Sequence, residues 1–249
     1  MSLDLQAAAS KRMRRGIITL AAIAAVLAVI VVLLLVFGGG KKDTAKNPDT
    51  GAGKPAPAVT ETPSDAYTAP QKWVKLPEGT GKSNGLPIKF PKTDEGAAAM
   101  MESVIRTSWS IDPADIEKAV SAYSAPQDTD ALRAAIPQAV AGNRQTAGMP
   151  TDGPVPHGAS FIAIPIAVQW THQDDTHVRV SVDTRVVTNA GNGSENKTQL
   201  VSMAGMAVWN GDDWKNTSLP PGKQPEPFDI GSDGFNSAGW KAIQEGDRK

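Results

Sequence analysis

The sequence predicts an α+β protein in which an N-terminal transmembrane helix precedes one small domain, built from about three helices packed on a curved antiparallel sheet. Three observations lead to this fold class. An uncharged apolar run covers residues 16–37, apolar residues recur at helical spacing between residues 93 and 146, and alternation with a period of two begins after Gly158. We therefore divide the chain into a cytoplasmic tail (1–15), a transmembrane helix (16–37), a flexible stalk (38–70), an extracytoplasmic domain (71–218) and an irregular Pro-rich tail (219–249).

The apolar run reads GIITLAAIAAVLAVIVVLLLVF, 22 residues without a charge. As a helix it would span about 33 Å, against roughly 30 Å for the hydrocarbon core of a bilayer. A cleaved signal peptide is the alternative, but its apolar region is usually about 7–15 residues long and ends at a small-residue site. Because Val36, Phe37 and Gly38 make a poor site of that kind, the run favours a retained transmembrane helix.

The flanking segments indicate how the chain is oriented. Residues 1–15 set one acidic side chain against four basic ones, Lys11, Arg12, Arg14 and Arg15, and such clusters usually stay in the cytoplasm. Residues 38–70 are rich in Gly, Ala, Pro and Thr and poor in large apolar residues, which is typical of a flexible tether. We expect a single-pass protein of the plasma membrane, with the lipid bilayer as one partner and the C-terminal domain outside the cytoplasm.

Capping residues place the helices of the domain. Thr93 is a suitable N-cap, because Asp94 and Glu95 then lie in the first turn, where carboxylates complement the helix dipole. Asp112 followed by Pro113 marks a second start. A third helix is predicted from about residue 129 to 146, with Pro137 bending or splitting it.

Strand patterns follow the helices. Residues 161–170 form an apolar run, residues 177–188 alternate between apolar and polar, and residues 200–209 lead through Asn210 and Gly211 into a tight turn. Three helices followed by three or four long antiparallel strands predict helices that cover one face of a curved sheet. An NTF2-like cone is a common solution for that order of elements.

Composition excludes several functional classes. The chain has 25 basic and 26 acidic residues, so no large positive field points to direct nucleic-acid binding. It has no cysteine, which excludes disulfides, thiol catalysis and thiolate metal sites. Six tryptophans are predicted to pack in the core, with any exposed ones available as binding anchors: Trp73, Trp109, Trp170, Trp209, Trp214 and Trp240.

Two groups of residues could form a metal site or a catalytic site. Imidazole and carboxylate ligands for zinc or manganese could converge in the segment His172, Asp174, Asp175 and His177, but a polar turn between strands explains the same residues without a metal. Asp183 is the one candidate acid or base. With Arg185 it could form an ion pair or line a cavity, although a solvated strand face explains both residues more simply. We therefore assign no catalytic, cofactor-binding or metal-ligating residue, and expect no cofactor.

Short motifs carry a family resemblance. They are Trp73-x-x-Leu76-Pro77, Gly85-x-Pro87, Phe90-Pro91-x-Thr93-x-x-Gly96-Ala97-Ala98, Asp213-Trp214 and Gly239-Trp240. With the basic tail, membrane helix and stalk, they resemble the TcpC-type bitopic proteins of actinobacterial conjugative elements and the inner-membrane assembly factors of type IV secretion systems. The resemblance implies an NTF2-like extracytoplasmic domain that acts as a scaffold of a DNA-transfer channel, self-associates, contacts other membrane subunits and is not an enzyme.

Two alternatives belong to other classes. A membrane-anchored NTF2-like binding module for a small ligand or for lipid uptake would need an apolar cavity beside Trp170, Val178 and Val180. An enzyme would need an acid or base inside such a cavity, and Asp183 is its candidate.

Overall fold

The computed structural model describes residues 67–244. Three short strands come first: β1 (Trp73–Val74), β2 (Gly81–Ser83) and β3 (Leu86–Ile88). Three helices follow: α1 (Asp94–Ser108), α2 (Pro113–Tyr123) and α3 (Thr129–Thr146). The remaining elements are β4 (Ser160–Asp174), β5 (His177–Asn189), β6 (Lys197–Trp209), β7 (Trp214–Thr217), α4 (Asp233–Ser237) and β8 (Lys241–Ile243).

Six of the strands form one sheet in the order β1-β8-β4-β5-β6-β7, and β2 and β3 form a separate hairpin. The central strands β4, β5 and β6 pair antiparallel over most of their length. At one edge β8 pairs with β4 only at Ala167 and Val168, and β1 pairs with β8 in parallel. The large sheet is therefore mixed.

The predicted fold class, three helices on an antiparallel sheet in an NTF2-like arrangement, was wrong. The described part of the chain has four helices and eight strands, and its large sheet is mixed. Strands β1 and β8, which make the sheet mixed, were not predicted. They have two and three residues, too few to show the alternation typical of a strand. Their pairing joins Trp73 to Ala242, so no local pattern reveals it. Both α4 and β8 fall in the segment for which an irregular tail was predicted.

The transmembrane helix predicted at residues 16–37 lies outside the described residues, as does most of the stalk. Between residues 67 and 244, no helix combines the length and apolar character needed to cross a bilayer.

Local capping chemistry fixes where α1 and α2 begin. The Thr93 hydroxyl accepts the N–H of Gly96 at 3.1 Å, and the Asp112 carboxylate accepts the N–H of Ala114 at 2.8 Å. Each bond satisfies a donor that a helix start leaves without an intrahelical partner. Helix α3 continues through Pro137, whose ring is exposed to solvent, so the helix is not split there.

The two faces of the sheet are covered differently. On the first face, side chains of β5 pack under α1, and the most deeply buried of them are Val178, Val180, Val182 and Val186. On the second face lies a separate apolar cluster that joins β4 to the C-terminal elements, with Ile166, Ala167, Phe235, Trp240 and Ala242 at its centre. Because strand side chains alternate, the odd-numbered residues of β5 face this second layer.

Candidate functional site

The motif residues at the start of α1 meet the turn between β6 and β7. One carboxylate oxygen of Asp213 accepts the backbone N–H of Phe90 at 3.0 Å and that of Trp214 at 2.9 Å. The indole N–H of Trp214 donates to the carbonyl of Pro91 at 2.8 Å. Lys215 lies 3.3 Å from the second oxygen of Asp213. All these groups are used internally, so the motifs build a structural joint.

Gly96 explains why this joint needs a glycine. A Cβ atom at position 96 would lie 2.0 Å from the carbonyl oxygen of Pro91, which is far inside van der Waals contact with a backbone atom. The chain can therefore turn from Pro91 into α1 only where residue 96 has no side chain.

The predicted polar turn segment lies at the β4–β5 hairpin, where its two histidines engage different carboxylates. His172 Nδ1 lies 2.9 Å from Asp94 of α1, and His177 Nδ1 lies 3.0 Å from Asp174. The hydrogen bond that His172 donates to Asp94 raises the pKa of His172, and the backbone N–H of Thr176 lowers the pKa of Asp174. No group of three or more possible ligands in the described ranges is arranged to hold a metal ion.

Asp183 is buried in the structure, whereas the sequence favoured a solvated position. Its side chain is 0% exposed, on the second face of the sheet, so the prediction of a solvated strand face was wrong for this residue. Oδ2 accepts the backbone N–H of Phe228 at 2.8 Å, and Oδ1 has no partner. Burial raises the pKa of Asp183 to about 7, although the N–H groups of Phe228 and Thr184 oppose that rise.

Residues 219–230, which we call the C-terminal strap, cover Asp183. The strap crosses the second face from the end of β7 to α4, and polar side chains of the sheet hold its backbone. The Arg179 guanidinium donates to the carbonyls of Pro221 and Lys223, and the Ser202 hydroxyl donates to the carbonyl of Pro225. Proline carbonyls accept these bonds freely, since a proline lacks only the N–H.

Further contacts fix the strap near its far end. The indole N–H of Trp240 donates to the carbonyl of Glu226 at 3.1 Å, and Arg185 forms an ion pair of 2.6 Å with Asp229. The side chains of Phe228 and Ile230 pack against the second apolar cluster. An ion pair between Asp183 and Arg185 was one prediction from the sequence. In the structure Arg185 pairs with Asp229 of the strap instead.

Several polar atoms under the strap lack a partner. Besides Asp183 Oδ1, they are Ser181 Oγ and Gln169 Nε2, all shielded from solvent. Ser181 lies directly opposite Gln169 in the β4–β5 register, two residues along β5 from Asp183. An unsatisfied buried polar group costs about 1–3 kcal/mol, so the closed strap leaves this patch incompletely compensated.

Sequence reasoning missed this patch, apart from Asp183, although the alternation of β5 was visible. The alternation of apolar and polar residues puts Arg179, Ser181 and Asp183 on one polar face of the strand and predicts that this face is exposed to water. What covers them is a strap that begins about 40 residues later and binds through backbone carbonyls. Side-chain patterns do not encode contacts of that kind.

The geometry around Asp183 offers little for catalysis. A carboxylic acid that titrates near neutrality suits proton transfer, but a general acid or base must also reach its substrate. The strap separates Asp183 from solvent, and no histidine hydrogen-bonds to it among residues 67–244. Asp229, an acidic group of the strap, is paired with Arg185.

The tryptophans divide between core and surface. Trp109, Trp214 and Trp240 are buried, whereas Trp73 is 51% exposed on β1. Trp209 packs edge-on against Trp214, and the ammonium group of Lys241 lies 3.0 Å from the ring centroid of Trp170. Such a contact stabilises the cation by cation–π attraction. Trp73 is the tryptophan best placed to contact another molecule.

A shallow cavity and an unpaired strand edge occur together on β4. Residues 160–165 pair with β5 on one side, while β8 reaches only Ala167 and Val168 on the other. Ile162 is 51% exposed on this stretch. The cavity beside it is lined by Arg106, Thr107, Trp109, Ser110, Asp115 and residues 161–164.

Comparisons with protein-family models, with curated proteins and with solved structures give no match. The resemblance to TcpC-type proteins stays a prediction from the motifs.

Proposed function

We propose that the chain is a non-enzymatic, membrane-anchored scaffold subunit that self-associates and contacts other membrane subunits. The proposed anchor is the apolar run at 16–37, with the domain outside the cytoplasm at the plasma membrane. The motif resemblance supplies the setting, a conjugative DNA-transfer apparatus of the type IV secretion kind.

The observation that carries the proposal is the open edge of β4. An unpaired edge exposes backbone N–H and C=O groups that can continue a sheet into another chain, and proteins usually protect such edges with charges or bulges. Residues 160–164 contain no charged side chain, and Ile162 adds an exposed apolar contact. Pro165 and the bulge between Pro165 and Ala167 limit the open stretch to these residues. An edge that pairs with the same edge of a second copy satisfies both chains at once, as a two-fold interface requires.

In the described domain, the side chains considered for catalysis or metal binding are buried or paired, which favours a scaffold over an enzyme. Asp183 is sealed under the strap, and the histidines at the β4–β5 hairpin are engaged with Asp94 and Asp174. The motif residues that support the resemblance are internal bonds of the joint around Asp213.

A small-ligand binding module receives less support. That alternative needs an apolar cavity beside Val178 and Val180, yet both side chains are completely buried in the cluster under α1. Side chains with no accessible surface touch no void large enough for a water molecule. A ligand would have to displace part of this core.

The experiment is an interface substitution in the full chain. We expect Ile162→Lys to weaken self-association by about tenfold or more, because a lysine on an open edge opposes strand pairing. Leu219→Lys is the matched control, since Leu219 is 48% exposed and follows β7, the strand at the opposite edge of the sheet. The readout is the cross-linked oligomer in native membranes, together with the frequency of conjugative transfer.

If both lysine variants associate like the original chain, the β4 edge is not the interface. If the chain with its natural Ile162 forms no cross-linked oligomer at all, self-association itself is contradicted.

A further inference from the structure

The two ends of the C-terminal strap are attached by contacts that do not involve its middle. At the first end the N–H and hydroxyl of Ser218 donate to the carboxylate of Asp128 at 3.0 and 2.6 Å. Beyond the second end, Thr68 donates to the carbonyl of Gly231 at 2.7 Å, and Phe235 is completely buried. Residues 221–229 in between are held to the sheet by bonds to their carbonyls, by the Arg185–Asp229 ion pair and by the Phe228 side chain. Lifting them as a loop breaks these contacts while both ends stay attached.

When this loop is closed, it covers the carboxyl group of Asp183. With the strap in place, Asp183 has a single strap donor, the Phe228 N–H, and its other oxygen has no partner. An ionised carboxylate in that position would be a buried charge without a countercharge bonded to it, which is costly. With the loop lifted, water would solvate the carboxylate and the neighbouring Ser181 and Gln169.

The charged groups on this face leave the carboxyl uncompensated. Strand β5 contributes Arg179 and Arg185, whose guanidinium groups are used by the strap carbonyls and by Asp229. The residues paired with Asp183 on the neighbouring strands are Ala167 of β4 and Ser202 of β6. Neither carries a charge. The strap itself carries Lys223, Glu226 and Asp229.

We propose that the C-terminal strap is a latch on the second face of the sheet, closed while Asp183 keeps its proton and released when Asp183 ionises. The inference stands on the strap contacts and does not depend on the scaffold function. Release would expose Arg179, Arg185 and the edge of the second apolar cluster to solvent.

The sign of the pH dependence follows from linkage. Asp183 has an ordinary pKa of 3.8 when solvated and a pKa of about 7 under the closed strap, so the closed form holds a proton that the open form releases. The closed form is therefore favoured most below about pH 4. Its advantage falls about tenfold per pH unit up to about pH 7, on the order of a thousandfold in total, and stays constant above that.

Hydrogen–deuterium exchange of the full chain in detergent tests the latch, with Asp183→Asn as the reference at each pH. The ratio of the two exchange rates removes the chemical pH dependence that all amides share. We expect strap amides, that of Phe228 above all, to exchange at similar rates in both chains near pH 4. Near pH 7 they should exchange hundreds of times faster in the original chain.

Glu226→Gln is the matched control, because it removes an exposed strap carboxylate and leaves both Asp183 and the Arg185–Asp229 ion pair intact. It should keep the pH dependence of the original chain, while amides of α1 and β5 should change little in any variant. Equal strap exchange in the original chain and Asp183→Asn from pH 4 to 7 would overturn the proposal. Loss of protection in α1 together with the strap would overturn it too, since that result means global unfolding.

Discussion

Asp213 shows how one buried side chain can hold two distant segments together. It is 3% exposed, and one of its oxygens accepts backbone N–H groups from both sides of the joint, those of Phe90 and Trp214. Hydrogen bonds to a charged acceptor are stronger than those between neutral groups. Asp183, also buried, accepts the Phe228 N–H with one oxygen while its other oxygen has no partner, and burial raises its pKa to about 7. Two buried aspartates thus differ in role because their donors differ.

Replacing Asp213 should reveal the cost of losing that acceptor. We expect Asp213→Ala to lower the free energy of unfolding by about 2–4 kcal/mol, because it leaves the N–H groups of Phe90 and Trp214 without a partner. Urea titration of the full chain in detergent, followed by tryptophan fluorescence, measures the change. Asp212→Ala is the control, since Asp212 is exposed and forms only a long ion pair with Lys89. Equal effects at the two positions would remove the structural role assigned to Asp213.

At the scale of elements, local signals and distant contacts differ in how well sequence reveals them. Thr93 and Asp112 cap their helices through bonds to residues two or three positions away, so the helix starts could be predicted. The pairing of β1 with β8 joins segments some 170 residues apart, and no period exists in strands so short. The strap over Asp183 is equally distant. Local chemistry predicted α1 and α2, whereas long-range pairing determined the mixed sheet and the buried patch.

Two helical glycines should respond in opposite directions to alanine. In α1, Gly96→Ala places a Cβ against the Pro91 carbonyl, and we expect a loss of at least about 2 kcal/mol of unfolding free energy. In α3, Gly142 has open space around the Cβ position, so Gly142→Ala should stabilise the helix by up to about 1 kcal/mol. The same urea titration measures both. A stabilising Gly96→Ala would contradict the packing described at the start of α1.

The whole molecule combines a sheet whose two faces are covered with an edge that stays open. Helix α1 seals the first face over the valines of β5, and the strap and α4 seal the second. What remains for other molecules is the outer surface, where Ile162 and Trp73 are the most exposed large apolar side chains on strands of the sheet. The scaffold proposal joins this domain to the apolar run at 16–37 and assigns the open edge to contact with other subunits.

Affinity purification of the full chain from its native membranes, after mild cross-linking and with mass spectrometry of the bound proteins, tests the scaffold proposal most directly. The account predicts that the chain is recovered from the membrane fraction with further copies of itself and with the ATPase and membrane subunits of a transfer channel, and that Ile162→Lys reduces the recovery of copies. Recovery of a monomer alone, or of the chain with lipid-uptake components in place of transfer subunits, would contradict it.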